Sequence, residues 1–498
     1  MHNDCFVDYL EWESLIWPLS FSNILCQHKI YALPENTIFE IFRDNEYKLK
    51  GKISGVTNAE NDLEYIEDQG KQAGEIIKGE NVTGYDGYRS LSYQIDQLFI
   101  SRSTFTPVSL PPNAQHSFQS DVFFSYISET HILNPKPFET ILEFYLTGKT
   151  NFLYPRTTGR SKEIKYIKRR GRIGIEEHPE KILQKLSGSG GDYMQIITED
   201  MDFIIQKIDK KYLPEWAGGI QIEYNSRNKS IPPNGIREGI SEIVSFIIGM
   251  PLIKIGETWL DKNENVVKKI AQSPSGDNVI SKCNSTVQPP IEFDWHSDRL
   301  ALEKYLIQVI PVYLKLRDSL NLSDVLWKYW TAKELPIGTN LPILASGFER
   351  LAEDHINSRG LIKKYGNLEK KEYYRLIKEV KMGLETVLDK FEFKNRILNK
   401  LENPFSLGMG EKIRLFSEDL GLNVTKNSKE NAALLARNSM THSSIEINEA
   451  AIKKYLNLTH AYTSLFNRAL LKIMGFEGKY IDYSTIGYPA KEMSENLG

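Results

Sequence analysis

An arginine, an asparagine and a histidine stand close together in the stretch Leu434-Leu-Ala-Arg-Asn-Ser-Met-Thr-His442. Arg437 brings a permanent cation with a planar fork of donors, and Asn438 a neutral amide. His442 is the side chain type whose charge ordinarily changes near neutral pH. Together they suit cleavage of a phosphodiester: the imidazole accepts the proton of an attacking hydroxyl while the guanidinium holds the charge developing on the phosphate. A helix is expected over Asn431 to Met440, with Ala432, Leu435 and Ser439 on one side and poorly helical Thr441, Ser443 and Ser444 closing it. On a continuous helix the Arg437–His442 spacing subtends roughly 140°, which splays the two. Fraying at Thr441 would let His442 return beside Arg437, with Asn438 one turn before it.

The same spacing recurs at Arg350 and His355, inside Phe348-Glu-Arg-Leu-Ala-Glu-Asp-His355. Spacing alone is therefore not diagnostic. The second pair reads as a coincidence on a helix surface.

The elements that must position these residues are helices. From Asp298 onward they dominate: Leu300 to Leu320 with a kink at Pro311, a short Trp-rich helix over Asp324 to Glu334, and Leu341 to Ile356 with Leu344, Phe348 and Leu351 on one side. A long charged helix is expected over Lys370 to Leu401 and a shorter one over Ser406 to Leu420. The clearest periodicity follows, with Ile452, Tyr455, Leu456, Tyr462, Leu465, Phe466, Ala469, Leu470 and Ile473 forming a core-packing stripe that ends at Gly475.

Before Pro289-Pro290 the pattern is different. Lys29-Ile-Tyr-Ala-Leu, Thr37-Ile-Phe-Glu-Ile-Phe, Tyr47-Lys-Leu-Lys-Gly-Lys-Ile and Asp121-Val-Phe-Phe-Ser-Tyr-Ile read as strands. Two helices are expected among them, Asn134 to Leu146 and Gly235 to Ile248, followed by a hairpin around Asp261-Lys-Asn-Glu-Asn265. The expected class is α+β, an amino-terminal β-rich antiparallel domain over residues 1–290 followed by an all-α bundle over residues 291–498. A basic run between Arg156 and Arg172 includes Lys168, Arg169 and Arg170 with Tyr166 interleaved, the pattern of an RNA-backbone track. Ser187-Gly-Ser-Gly-Gly191 lacks the Lys-Ser/Thr ending of a phosphate-binding loop and reads as a flexible loop.

A hydrophobic content of 41% and a charged content of 26% are ordinary for a soluble globular chain, and the net charge of −3 confines any polyanion site to a local patch. Cys5, Cys26 and Cys283 are odd in number and widely spaced, which argues against a disulfide framework or a cysteine zinc site and fits a reducing cytoplasm. The first residues lack a signal-peptide pattern, and the most apolar run, Ile243 to Ile255, is too short and too interrupted to span a bilayer. No cofactor or metal site is expected.

The carboxy-terminal half resembles the HEPN domains (higher eukaryotes and prokaryotes nucleotide-binding), and particularly the ApeA-like HEPN proteins of bacterial anti-phage defence. Three stretches carry the likeness over roughly residues 297–490: Leu341-Pro-Ile-Leu-Ala-Ser-Gly-Phe-Glu-Arg-Leu with its embedded Glu349, Leu435-Ala-Arg-Asn-Ser-Met-Thr-His442 with the Arg-x4-6-His signature, and the tail from Gly475 through Pro489. The resemblance implies a HEPN-like bundle and a metal-independent endoribonuclease of the abortive-infection type that cleaves RNA, tRNA among the expected substrates. On the matching positions it makes His442 general base or acid, Arg437 the stabiliser of the transition state, Asn438 the group that orients the imidazole or a phosphate oxygen, and Glu349 a supporting polar group. It also implies a homodimer through the helical half and a phage-derived trigger sensed by the amino-terminal domain. Where many active members follow the histidine with glycine, this chain has Ser443-Ser444. The competing expectation is a non-catalytic HEPN nucleotide-binding or protein-interaction module, which would tolerate changes at Arg437 and His442 that abolish cleavage.

Overall fold

The computed structural model describes residues 19–22, 24–26, 38–57, 79–86, 90–108, 116–131, 137–149, 193–208, 213–226, 229–262, 265–274, 278–284, 288–292, 301–361, 370–395, 397–398, 408–422, 424, 428–442 and 448–495. The chain divides into two compact units. One holds residues 1–237, 250–287 and 294–307, and the other residues 238–249, 288–293 and 308–498.

The first unit is built on antiparallel strands. These are β1 (Leu19–Ser22), β2 (Ile24–Cys26), β3 (Ile38–Arg43), β4 (Leu49–Thr57), β5 (Glu80–Asp86), β6 (Leu91–Pro107), β7 (His116–Phe123), β8 (Tyr126–His131), β9 (Thr140–Thr147), β10 (Tyr193–Ile197), β11 (Asp202–Lys207), β12 (Gly218–Asn225), β13 (Ile253–Leu260) and β14 (Val266–Gln272). They form one 14-stranded sheet whose main path runs β1-β3-β4-β7-β6-β8-β14-β13-β9-β12-β11-β10, while β5, paired with β2, joins β6.

Strand β6 is the joint of this sheet. Its residues Leu91 to Asp96 pair with β8 and its residues Phe99 to Pro107 pair with β7. Between the two halves Gln97 adopts a positive φ of 56°, an uncommon value for a residue with a side chain, and the strand turns there. Phe39, Ile41, Leu49, Ile53, Phe118 and Val122 then close with Val82, Tyr93, Ile95, Phe124 and Ile127 on a single buried cluster. In β7 the residues alternate buried and exposed from Phe118 to Phe123, the period of a strand with one solvated face.

One expected helix is a strand. Pro135 and Pro137 resemble a helix start, yet Thr140-Ile-Leu-Glu-Phe-Tyr-Leu-Thr147 forms β9, buried at every position between β12 and β13. A continuous apolar run gives the same signal for a strand covered on both faces as for a buried helix. The expected strand over Asp121 to Ile127 is interrupted at Phe124-Ser125, which separates β7 from β8. The hairpin around Asp261 to Asn265 joins β13 to β14 as expected. The short helix α2 (Val279–Asn284) buries the free thiol of Cys283, and that burial pushes the thiol up to about 12.

Helix α1 (Asn234–Ile248) matches its expected span. It stops at Gly249, whose φ is +73° and where a Cβ would meet the backbone of Gln288 and Pro289 at 2.2–2.6 Å. The remaining helices are α3 (Ala301–Leu316), α4 (Leu322–Glu334), α5 (Asn340–Arg359), α6 (Lys370–Leu388), α7 (Met409–Asp419), α8 (Lys429–His442) and α9 (Glu449–Ile473). Helix α6 ends earlier than the expected Leu401, at a turn where Lys394 bonds back to Asp389 at 2.6 Å.

Within the second unit α5 is the hub, packing against α4, α7, α8 and α9. Helix α9 ends in a Schellman arrangement: Gly475 N donates to Lys472 O and Phe476 N to Leu471 O, both at 3.0 Å. A hairpin of β15 (Lys479–Ile481) and β16 (Ala490–Glu492) follows, so this part is not purely helical. The fold is α+β, a mostly antiparallel sheet followed by helices. Among the described residues no helix is long and apolar enough to cross a membrane.

Candidate active site

Helix α8 carries the Arg437–His442 stretch. Ser428 caps it, its hydroxyl accepting from Asn431 N at 3.1 Å, and Ala432, Ala433, Leu434, Leu435 and Ala436 are mostly strong helix formers. The first turn is anchored twice. Glu430 Oε1 lies 3.5 Å from Arg468 Nη1 on α9, both side chains being withdrawn from solvent, and Lys429 Nζ donates to Ser484 O at 3.3 Å. Arg468 is further fixed by its Nε donating to Met493 O at 3.1 Å and by the Tyr480 ring, whose centroid is 5.3 Å from the guanidinium carbon. Burial lowers the Arg468 pKa, opposed by Tyr480, Glu430 and Asp482.

The expected fray at Thr441 is absent. The helix runs unbroken through His442, with neither Gly nor Pro to stop it. Two helical turns return a position to within about 20° of where it began. Position 437 therefore repeats the place of buried Glu430, beside buried Ala433, whereas position 442 repeats that of Leu435, which is 65% exposed. Asn438 stands one turn before His442 on its side of the helix. The backbone thus puts positions 438 and 442 on one side of the helix and position 437 about 140° away from 442. The side of Ala432 and Leu435 is the open one.

Glu349 is half-buried on α5. The neighbouring Arg350–His355 pair is not a surface coincidence. His355 is only 6% exposed, its Nε2 lies 2.9 Å from Asp419 Oδ2 on α7, and its ring meets Phe416 edge-on with centroids 5.3 Å apart. The His355 hydrogen bond, with Arg359 adding to it, holds the Asp419 carboxyl below its ordinary range. Arg350 turns the other way, to Asp354 at 2.7 Å. This copy of the spacing ties α5 to α7.

Two ionic clusters have no counterpart in the local sequence patterns. In the first unit Glu143 Oε1 accepts from Arg237 Nε at 2.9 Å and Lys254 Nζ at 2.7 Å, while its Oε2 accepts from Tyr145 Oη at 2.7 Å. Glu257 Oε2 closes the ring, 3.2 Å from Lys254 and 3.4 Å from Arg237. Burial alone would raise the Glu143 pKa, but Lys254 and Arg237 outweigh it and lower the value. In the second unit Glu242 takes a bidentate pair of 2.8 Å bonds from Arg317, with Tyr313 Oη at 2.8 Å and the Ser323 hydroxyl also donating. Burial is again outweighed there, by these hydrogen bonds, and the carboxyl is lowered. Each cluster joins segments far apart along the chain, Glu143 to Arg237 and Lys254, and Glu242 to Tyr313–Ser323, so no motif marks it. Their bonding partners already occupy Glu143 and Glu242, which suits them to holding elements together rather than to moving protons.

The basic run with Lys168, Arg169 and Arg170, the Ser187–Gly191 loop, and the expected strand at Lys29 to Leu33 lie outside the described residues. Comparison of the chain with protein-family models, with curated proteins and with solved structures returns no match.

Proposed function

We propose that the protein is a HEPN-type endoribonuclease that cleaves RNA through attack of the ribose 2′-hydroxyl, in the manner of an abortive-infection effector. The observation that carries this reading is the end of α8, where Asn438 and His442 share one side of a helix whose first turn is clamped by Glu430 and Arg468. A neutral amide one turn before an imidazole can fix the ring for proton transfer, and an internal nucleophile removes the need for a metal-activated water. Arg437 supplies the cation of the signature.

On one continuous helix these groups do not all converge, and two-fold pairing of the helical half supplies a second copy of each near the axis. Leu435 on α8 and Ile452 and Leu456 on α9 offer apolar surface for such a homodimer. The direct test is incubation of the purified protein with total RNA and with tRNA in EDTA, beside a His442→Ala control. Cleavage by the wild type and not by the variant supports the reading, and no cleavage by either refutes it. The placement of position 437 in line with Glu430 favours the alternative of a non-catalytic HEPN module, in which Arg437 is a structural cation. RNA binding without cleavage would select it.

A further inference from the structure

Outside the helical half, the solvated face of the sheet carries an arrangement that ordinary packing does not require. Strand register places Phe42, Lys50, Phe123 and Phe99 in one row across β3, β4, β7 and β6. Directly paired residues of an antiparallel sheet project from the same face. That face is the outer one, because the alternate residues Ile41, Leu49, Val122 and Phe118 are buried in the core. Phe99 and Phe123 stack with centroids 5.1 Å apart and planes 15° from parallel, and Phe123 remains 44% exposed. A cleft of ≈ 670 Å³ is lined by Lys50, Phe123 and Phe99 of this row, with Asp44, Glu46 and Lys48 beside them. Its size falls within the range of ligand pockets.

The charges beside the cleft are arranged for exchange. The Asp44 carboxylate is held by the turn, its Oδ1 accepting from Glu46 N and Lys48 N at 2.9 Å each. Lys50 reaches Asp44 at 2.9 Å and Lys48 reaches Glu46 at 2.8 Å, both as partly exposed pairs. Such partly exposed pairs contribute little to stability, so an arriving anion can take the ammonium groups over. In the next row Lys52 lies between Glu40 and Asp121, whereas Lys50 and Lys48 line the cleft with the aromatic pair.

We infer that this outer sheet face is a platform for single-stranded RNA, on which a base stacks against Phe123 while the adjoining phosphate is met by Lys50. Open aromatic faces beside lysines on a sheet are the means by which proteins hold unpaired bases, and a duplex keeps its base faces covered. The inference rests on the proposed function only for the choice of RNA as the polymer.

The test is fluorescence anisotropy of a labelled mixed-sequence 12-nucleotide RNA against the full chain carrying His442→Ala, so that cleavage plays no part. Phe123→Ala should weaken binding about ten-fold while Phe123→Trp retains it, as expected for loss and preservation of one stacked base. Lys50→Gln should reduce the slope of log affinity against log salt by about 0.7. Circular dichroism of each variant controls for folding. Absence of RNA binding, equal affinity of Phe123→Ala, equal binding of duplex, or displacement by neutral xylohexaose would each overturn the platform, the last in favour of a carbohydrate face. Weakened binding by Phe123→Ala, in a protein whose cleavage is unaffected by His442→Ala, would keep the platform and remove the proposed active site. The reverse pattern would do the opposite.

Discussion

Glu430 and Arg468 meet at 3.5 Å, one on the helix that bears His442 and the other on the helix beside it, with neither side chain reaching solvent. Two charges withdrawn from water stabilise one another as a pair, and removing one deprives the other of its buried counter-charge. Glu430→Ala is therefore expected to cost about 3–5 kcal/mol. Replacing both, with Glu430→Leu and Arg468→Met, should recover most of that loss. Urea unfolding of the three variants checks this, and a double variant no more stable than the single one would refute it.

At the other end of α8, His442→Ala and Arg437→Ala should each reduce RNA cleavage, the histidine change by about 10²–10⁴-fold, the usual contribution of a general acid or base. Asn438→Ala should cost less, because it orients rather than transfers. Circular dichroism should stay unchanged for His442→Ala, whose position repeats that of exposed Leu435. Full cleavage by the His442 and Arg437 variants would end the assignment.

The first turns of α9 carry a third expectation. Ile452 and Leu456 belong to the stripe that reads as core, yet they are 42% and 37% exposed, whereas Leu465, Phe466, Ala469 and Leu470 further along are fully buried. The stripe extends beyond the core formed by the described residues. Ile452→Glu with Leu456→Glu should yield a monomer by light scattering and lower cleavage at all protein concentrations. A wild type that is itself monomeric and fully active on dilution would contradict this.

Lys333 supplies a pH dependence. Its stem on α4 is half-exposed, but its ammonium nitrogen is enclosed, without a hydrogen-bond partner among the described residues, over the rings of Tyr329 and Trp330 at 4.6 and 4.9 Å. Burial lowers its pKa to about 7, and the negative faces of the two rings resist that shift. Between about 7 and its unfolded value near 10.4 the unfolded chain binds the extra proton, so this group adds stability as pH rises through that window. Below it the full cost of the buried charge remains. Lys333→Met should accordingly raise the melting temperature at pH 6 and lose that advantage by pH 10. An equal effect at both pH values would show that the ammonium is not the cause.

What the sequence reveals of this molecule follows from the range of the interactions involved. The helices of the second half are legible because their apolar residues recur within a turn or two, as at Leu344, Phe348 and Leu351. Strand β9 was not, since burial on both faces erases the alternation that distinguishes a strand. The clusters at Glu143 and Glu242 join residues from separate elements and leave no local trace. At the candidate site the residue types were visible, but their directions depend on whether the helix survives Thr441. Weak helix formers bias that outcome without deciding it.

The neighbour of β8 on one side is β14, so Tyr126–His131 must wait for Val266–Gln272. A ribosome working at 5–20 residues per second needs on the order of ten seconds to supply the intervening chain. During that interval the nascent protein presents the β8 edge unpaired, a template for any other extended segment nearby. Completion of the sheet is thus tied to synthesis of Val266–Gln272, and the growing chain depends in that period on dilution or on a chaperone that covers exposed strand edges.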